Sequence, residues 1–145
     1  MSDSPIPSSS TIVLLIDPYK EDREYWAERV SLSSPDYFVL EAETGEGGLA
    51  ICRWHQVDCV LVEMSFADMS GFEILLRLVP RAKYPEIPVI FLTRVALPPM
   101  RDLALKNGAQ AFFLKSQISG DVLNEAMHKA MAKVPRTKLN FGERH

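Results

Sequence analysis

The sequence is short of the features that mark specialised chains. Its 145 residues include two cysteines, Cys52 and Cys59, which flank a Trp-His segment without CxxC or zinc-like spacing. That argues against a disulfide framework or a thiolate metal centre, and fits small thiols in a reducing cytoplasm. The three histidines, His55, His128 and His145, are isolated from one another and from the cysteines, so each reads as a surface or packing residue. No apolar run approaches the roughly 20 residues of a membrane-spanning helix, and the N-terminus lacks a basic-then-apolar leader. Excess charge is also scarce: 16 Lys and Arg against 19 Asp and Glu leave a net −3 and a pI near 5.6. Neither nucleic acid nor an anionic membrane is an expected partner of such a surface. What remains, at 47% hydrophobic and 24% charged, is the composition of an ordinary soluble chain with one buried core.

Residues 1–10 are rich in Ser and Pro, with Ile6 as the only aliphatic side chain, and read as a disordered lead-in. Residues 11–134 form the expected domain, and 135–145 a mildly basic tail or linker beginning Pro135-Arg136-Thr137-Lys138. Within the domain, five short apolar runs start at Ile12, Tyr37, Cys59, Val89 and Ala111. Most are continuously apolar, as strands buried on both faces of a parallel sheet should be. Helical patterns separate them. Phe72, Leu75, Leu76 and Val79 share one face of a helix that Pro80 ends, and Leu123, Ala126, Met127, Ala130, Met131 and Val134 line another behind a Ser119 N-cap. Thr44 caps a helix from Gly45 to about Gln56. A short one follows Pro98-Pro99 and closes at Asn107-Gly108. The first, near Glu21 to Val30, offers Tyr19, Trp26 and Val30 as inward residues. Strand–helix alternation repeated five times predicts an α/β fold with a parallel sheet and helices on both faces.

Four runs end on a polar residue: Asp17, Glu63, Thr93 and Lys115. A parallel sheet delivers all its strand ends to one edge, where ligands bind near the reversal of strand order. Singly, Asp17 caps a helix, Thr93 satisfies a turn, and Lys115 pairs with Glu63. Jointly, they point to a phosphate or metal site.

The stretch from about Thr11 to Met131 resembles the receiver domain of two-component response regulators. The resemblance is carried by Ile16-Asp17, by Glu63-Met64-Ser65-Phe66-Ala67-Asp68-Met69-Ser70-Gly71-Phe72-Glu73, by Pro88 to Thr93, and by Asn107-Gly108-Ala109-Gln110-Ala111-Phe112-Phe113-Leu114-Lys115. It implies a flavodoxin-like, doubly wound sheet in the order 2-1-3-4-5. It implies a histidine kinase or other signalling protein as partner, an output surface on the last two helices and the fifth strand, and no enzymatic turnover. In that family an aspartate ending the third strand accepts a phosphoryl group, and adjacent acids after the first strand help it to hold Mg²⁺. By position, Thr93 and Lys115 contact phosphoryl oxygens and Phe112 is the switch aromatic.

Four departures stand out. Glu63 occupies the phosphoacceptor position and Pro18 that of the second metal-binding acid. Arg94 replaces a small residue and gates the phosphate path, and Ser116 replaces a proline. The longer Glu63 would place its carboxylate roughly 1–1.5 Å too far forward for in-line transfer. Asp17, Glu63 and the Ser65 carbonyl would then hold Mg²⁺ only weakly. The expected function is a receiver that works independently of phosphorylation, with an inefficient phosphoacceptor as the alternative. A flavodoxin-like redox protein would need a hydroxyl- and Gly-rich loop after the first strand, where this chain has Asp17-Pro18-Tyr19-Lys20-Glu21-Asp22. A hydrolase would need a GxSxG elbow or a Ser-His-Asp set, which the strand ends do not supply.

Overall fold

The computed structural model describes residues 6–135, so residues 1–5 of the expected lead-in and 136–145 of the expected tail lie outside the described residues. Residues 6–10 carry a turn closed by the Ser10 N–H on the Pro7 carbonyl. The five apolar runs are strands β1 (Thr11–Ile16), β2 (Tyr37–Ala42), β3 (Cys59–Val62), β4 (Val89–Thr93) and β5 (Ala111–Leu114). They alternate with helices α1 (Lys20–Ser33), α2 (Gly45–Trp54), α3 (Gly71–Leu78), α4 (Pro98–Lys106) and α5 (Gly120–Lys133). All pairings are parallel and the order is β2-β1-β3-β4-β5. This is the flavodoxin-like, doubly wound arrangement.

Strands with no polar alternation are explained by two cores. Leu14, Ile16, Val60, Val62, Val89 and Phe91 pack under α2, α3 and α4, through Leu49, Ile74, Leu75 and Ala104. The intervening Val13, Leu15, Cys59, Leu61, Ile90 and Leu92 pack under α1 and α5, against Trp26, Val30, Leu123 and Met127. Each residue of the inner strands β3 and β4, and of β1 from Val13 onward, is therefore buried whichever way it points. Cys59, fully enclosed, is inert: burial pushes its thiol up to about 12. The glycines that weaken α2 as a helix former have a packing reason. A Cβ on Gly48 would lie 2.4 Å from Ile16 Cδ1, so the glycine lets α2 press onto β1.

Two expected inward faces, those of α3 and α1, differ in the structure, and α4 buries little. In α3 the buried set is Gly71, Ile74 and Leu75, with Val79 just beyond the helix, whereas Leu76 is 51% exposed. Two apolar helical phases overlap in this segment, and the one starting at Gly71 meets the sheet. In α4 only Ala104 is buried and Leu103 faces outward. Tyr19 is the half-buried N-cap residue of α1 rather than part of the core. The caps at Thr44, Ser70 and Ser119 each accept a backbone N–H from the third residue of their helix. Ser119→Ala should lower stability by about 1 kcal/mol in urea unfolding. An unchanged midpoint would mean that the hydroxyl contributes nothing net.

Candidate functional site

The C-terminal edge of the sheet gathers the strand-end residues into one buried cluster. Lys115, the first residue after β5, opens a 3₁₀ turn (Lys115–Gln117) that swings its ammonium back over the sheet. Its Nζ donates to Asp17 Oδ2 at 2.7 Å, Asp22 Oδ2 at 2.8 Å and Glu63 Oε2 at 2.9 Å. The Lys115, Asp17 and Glu63 side chains are 8%, 1% and 2% exposed, so these charges are enclosed. Burial works against the Lys115 ammonium, but hydrogen bonds to Asp17, Asp22 and Glu63 outweigh it and raise its pKa. For Asp17 burial wins, and its pKa is raised despite Lys115 and the Tyr19 N–H. Asp22, nearer the solvent, is held below the usual carboxylate range by Arg94, with Lys115 adding to it.

Glu63 follows β3 and is bonded on both oxygens. Oε1 accepts from the Thr93 hydroxyl and from the Met64 N–H at 2.6 Å. Oε2 accepts from the Arg94 N–H at 3.0 Å as well as from Lys115. A buried carboxylate with four donors is fully satisfied. The backbone beneath it is equally fixed: the Gly71 N–H donates to the Met64 carbonyl at 2.6 Å. A Cβ on Gly71 would lie 2.5 Å from the Glu63 carbonyl oxygen, so the start of α3 abuts the residue that carries the charge.

Asp22 is the member that sequence reasoning missed. It sits in the first turn of α1, where an acid has an ordinary explanation in the helix dipole. The signal available was its place three residues beyond the N-cap, on the turn that overhangs the strand ends. Arg94 forms the roof: its guanidinium lies 3.6 Å from the Tyr19 ring centroid, and its Nε donates to Asp22 Oδ2 at 2.8 Å. Phe112 is buried on β5, its ring 5.7 Å from that of Phe91. Ser65 lies exposed on the β3–α3 loop and bridges Ser70; the described hydrogen bonds that gather the cluster do not include it.

The order of these residues along the strands corresponds to one family, whose description is response regulator receiver domain and which matches residues 13–128. The chain belongs to that family. The receiver is 27% identical over 123 residues to the two-component response regulator ORR3 of Oryza sativa subsp. indica, covering 84% of this chain and 92% of that one. It is also 27% identical over 117 residues to the gliding motility regulatory protein of Myxococcus xanthus, covering 81% of this chain but 15% of that protein's length. A solved response regulator receiver domain protein from Clostridium thermocellum shares the fold at a TM-score of 0.75 and 24% identity, covering 85% of this chain and 95% of that one.

Receiver domains are signalling modules that interact with histidine kinases and output domains and hold Mg²⁺ at this acidic pocket. The residues present here do not fit that ion. Mg²⁺ requires oxygen ligands at about 2.0–2.1 Å in near-octahedral array. Here the facing oxygens of Asp17, Asp22 and Glu63 converge at hydrogen-bonding distance on an ammonium. Among the described residues, no three His, Cys, Asp or Glu side chains are arranged to hold a metal. The Lys115–Ser116 bond is trans. No helix among the described residues is long and apolar enough to cross a membrane.

Proposed function

We propose that this receiver signals without aspartyl phosphorylation, with the Glu63 carboxylate standing in for the phosphoryl group. The observation that carries the reading is the set of donors on Glu63: the Thr93 hydroxyl and the Lys115 ammonium, which would otherwise meet phosphoryl oxygens, are already engaged by it. Buried Phe112 is the switch aromatic in the position that such engagement favours. Arg94, lying on Tyr19 and tied to Asp22, closes the phosphate path. Pro18 withholds a metal-binding acid, so Mg²⁺ binding is weak.

In this reading the domain spans residues 11–134 and acts in the cytoplasm without turnover. A sensor histidine kinase or another signalling protein sets its state. The output partner docks on α4, β5 and α5, where Leu97, Leu103 and Val122 are exposed. The test is intact-mass analysis after incubation with Mg²⁺ and a small-molecule phosphodonor. The wild-type chain should stay unmodified, whereas the mass of one phosphoryl group mapped to Glu63 would establish the inefficient phosphoacceptor instead.

A further inference from the structure

We propose that the basic segment 136–145 docks in a cavity at the N-terminal edge of the sheet and is the resident ligand there. This edge lies opposite the Glu63 cluster, and the inference is independent of the reading of that site. The cavity, of about 820 Å³, is walled by residues 6–12, by the turn after α2 and by the end of α5. That is the size of a ligand pocket, with room for a few side chains. Asp58 lies in its wall, 8% exposed, with Oδ2 accepting the Ile12 N–H at 2.8 Å. Trp54, 58% exposed, and Met131 supply apolar surface. A carboxylate and an aromatic ring in one cavity suit a chain that presents cations and apolar side chains in close succession.

The path of the backbone identifies the occupant. Helix α5 ends at Val134, whose φ of −123° and ψ of 71° take the chain out of the helix ahead of Pro135. Both residues line the cavity, so segment 136–145 begins at its wall. Within that segment Arg136 and Lys138 are followed directly by Leu139 and, two residues on, Phe141. The residues before Ile6, Met-Ser-Asp-Ser-Pro, carry one acid and no basic side chain, and so do not complement Asp58. Tethering favours the same choice, because a segment on a short linker meets its site at an effective concentration of roughly millimolar. Contacts too weak to hold a separate peptide therefore suffice. The end of α5, a helix of the proposed output surface, is thereby tied to the α2–β3 turn and to the segment before β1.

Nuclear Overhauser spectra of the full chain should connect the Leu139 methyls and the Phe141 ring to the Trp54 indole and the Met131 methyl. Backbone order parameters of Leu139 to Phe141 should exceed about 0.6, the boundary below which a backbone is flexible. Leu139→Ala with Phe141→Ala should abolish the docking, moving the Trp54 indole resonance and dropping the order parameters below that boundary. Arg136→Glu with Lys138→Glu should also lower them below it, since two acids would then approach Asp58. A wild-type segment with no contact to the cavity and order parameters below about 0.6 overturns the proposal. So does either double variant that leaves the order parameters unchanged. Contacts from residues 1–5 in place of the segment would make the lead-in the occupant. Contacts seen only between differently labelled copies in a mixed sample would make it a second copy. Either result overturns the assignment.

Discussion

Lys115→Met should cost about 3–5 kcal/mol of stability at neutral pH, because removing one partner of a buried ion cluster strands the others. What it strands is Asp17 and Glu63, at 1% and 2% side-chain exposure, with Asp22 beside them. Glu63→Gln on top of Lys115→Met should recover part of the loss, so the double variant should be less unstable than the sum of the single losses. Simple additivity in urea unfolding would mean that the two groups do not interact. The pH dependence has a definite sign. Lys115 has a folded pKa raised above 10.5, so its contribution is complete below that unfolded value and is lost as pH rises through the folded one. Asp17 has a folded pKa raised above 3.8, so keeping it ionised costs stability once the pH exceeds that value. Without Lys115 the Asp17 pKa should rise further. The defect should therefore shrink as the pH is lowered from neutral and Asp17 takes up its proton. A defect that grows toward acid would contradict the stranded-carboxylate account.

The second large effect concerns chemistry rather than stability. Glu63→Asp combined with Pro18→Asp should raise the fraction phosphorylated by a small-molecule donor at least about tenfold over wild type, with each single change far less effective. The shorter carboxylate withdraws from the Thr93 hydroxyl and from Lys115, opening room for an incoming phosphoryl group. The new acid beside Asp17 supplies a Mg²⁺ ligand, and Mg²⁺ is what neutralises charge in the transferring group. Neither change does the other's task, so their effects should multiply rather than add. If the double variant folds but stays unmodified by intact mass, the Arg94–Tyr19 roof is the remaining obstacle. Arg94→Ala added to the pair should then release it.

Much of this architecture was legible because strands buried on both faces leave continuous apolar runs, and the residue ending each run announces the active edge. Asp17, Glu63, Thr93 and Lys115 could be placed together on that basis alone. Asp22 could not, since an acid in the first turn of a helix is favoured by the dipole with or without a site above it. Leu76 was misassigned because Phe72-Glu73-Ile74-Leu75-Leu76 supports two helical phases, and only contact with the sheet chooses between them. Tyr19 looked like a core residue by its chemistry, yet its ring supports the Arg94 guanidinium, a pairing between positions far apart in sequence that no local pattern encodes.

Gly71 bears on how this chain can vary over generations. Its N–H holds the Met64 carbonyl, and a methyl group at its Cα would run into the Glu63 carbonyl oxygen, 2.5 Å from the position of a Cβ. The obstruction is backbone, which cannot rotate aside as a side chain can. The carboxylate of Asp22 reaches the pocket from the first turn of α1, away from the strand–helix junction. Position 71 lies in that junction. Any variant that keeps this junction must therefore keep glycine at position 71, whatever is done to the charges of the pocket.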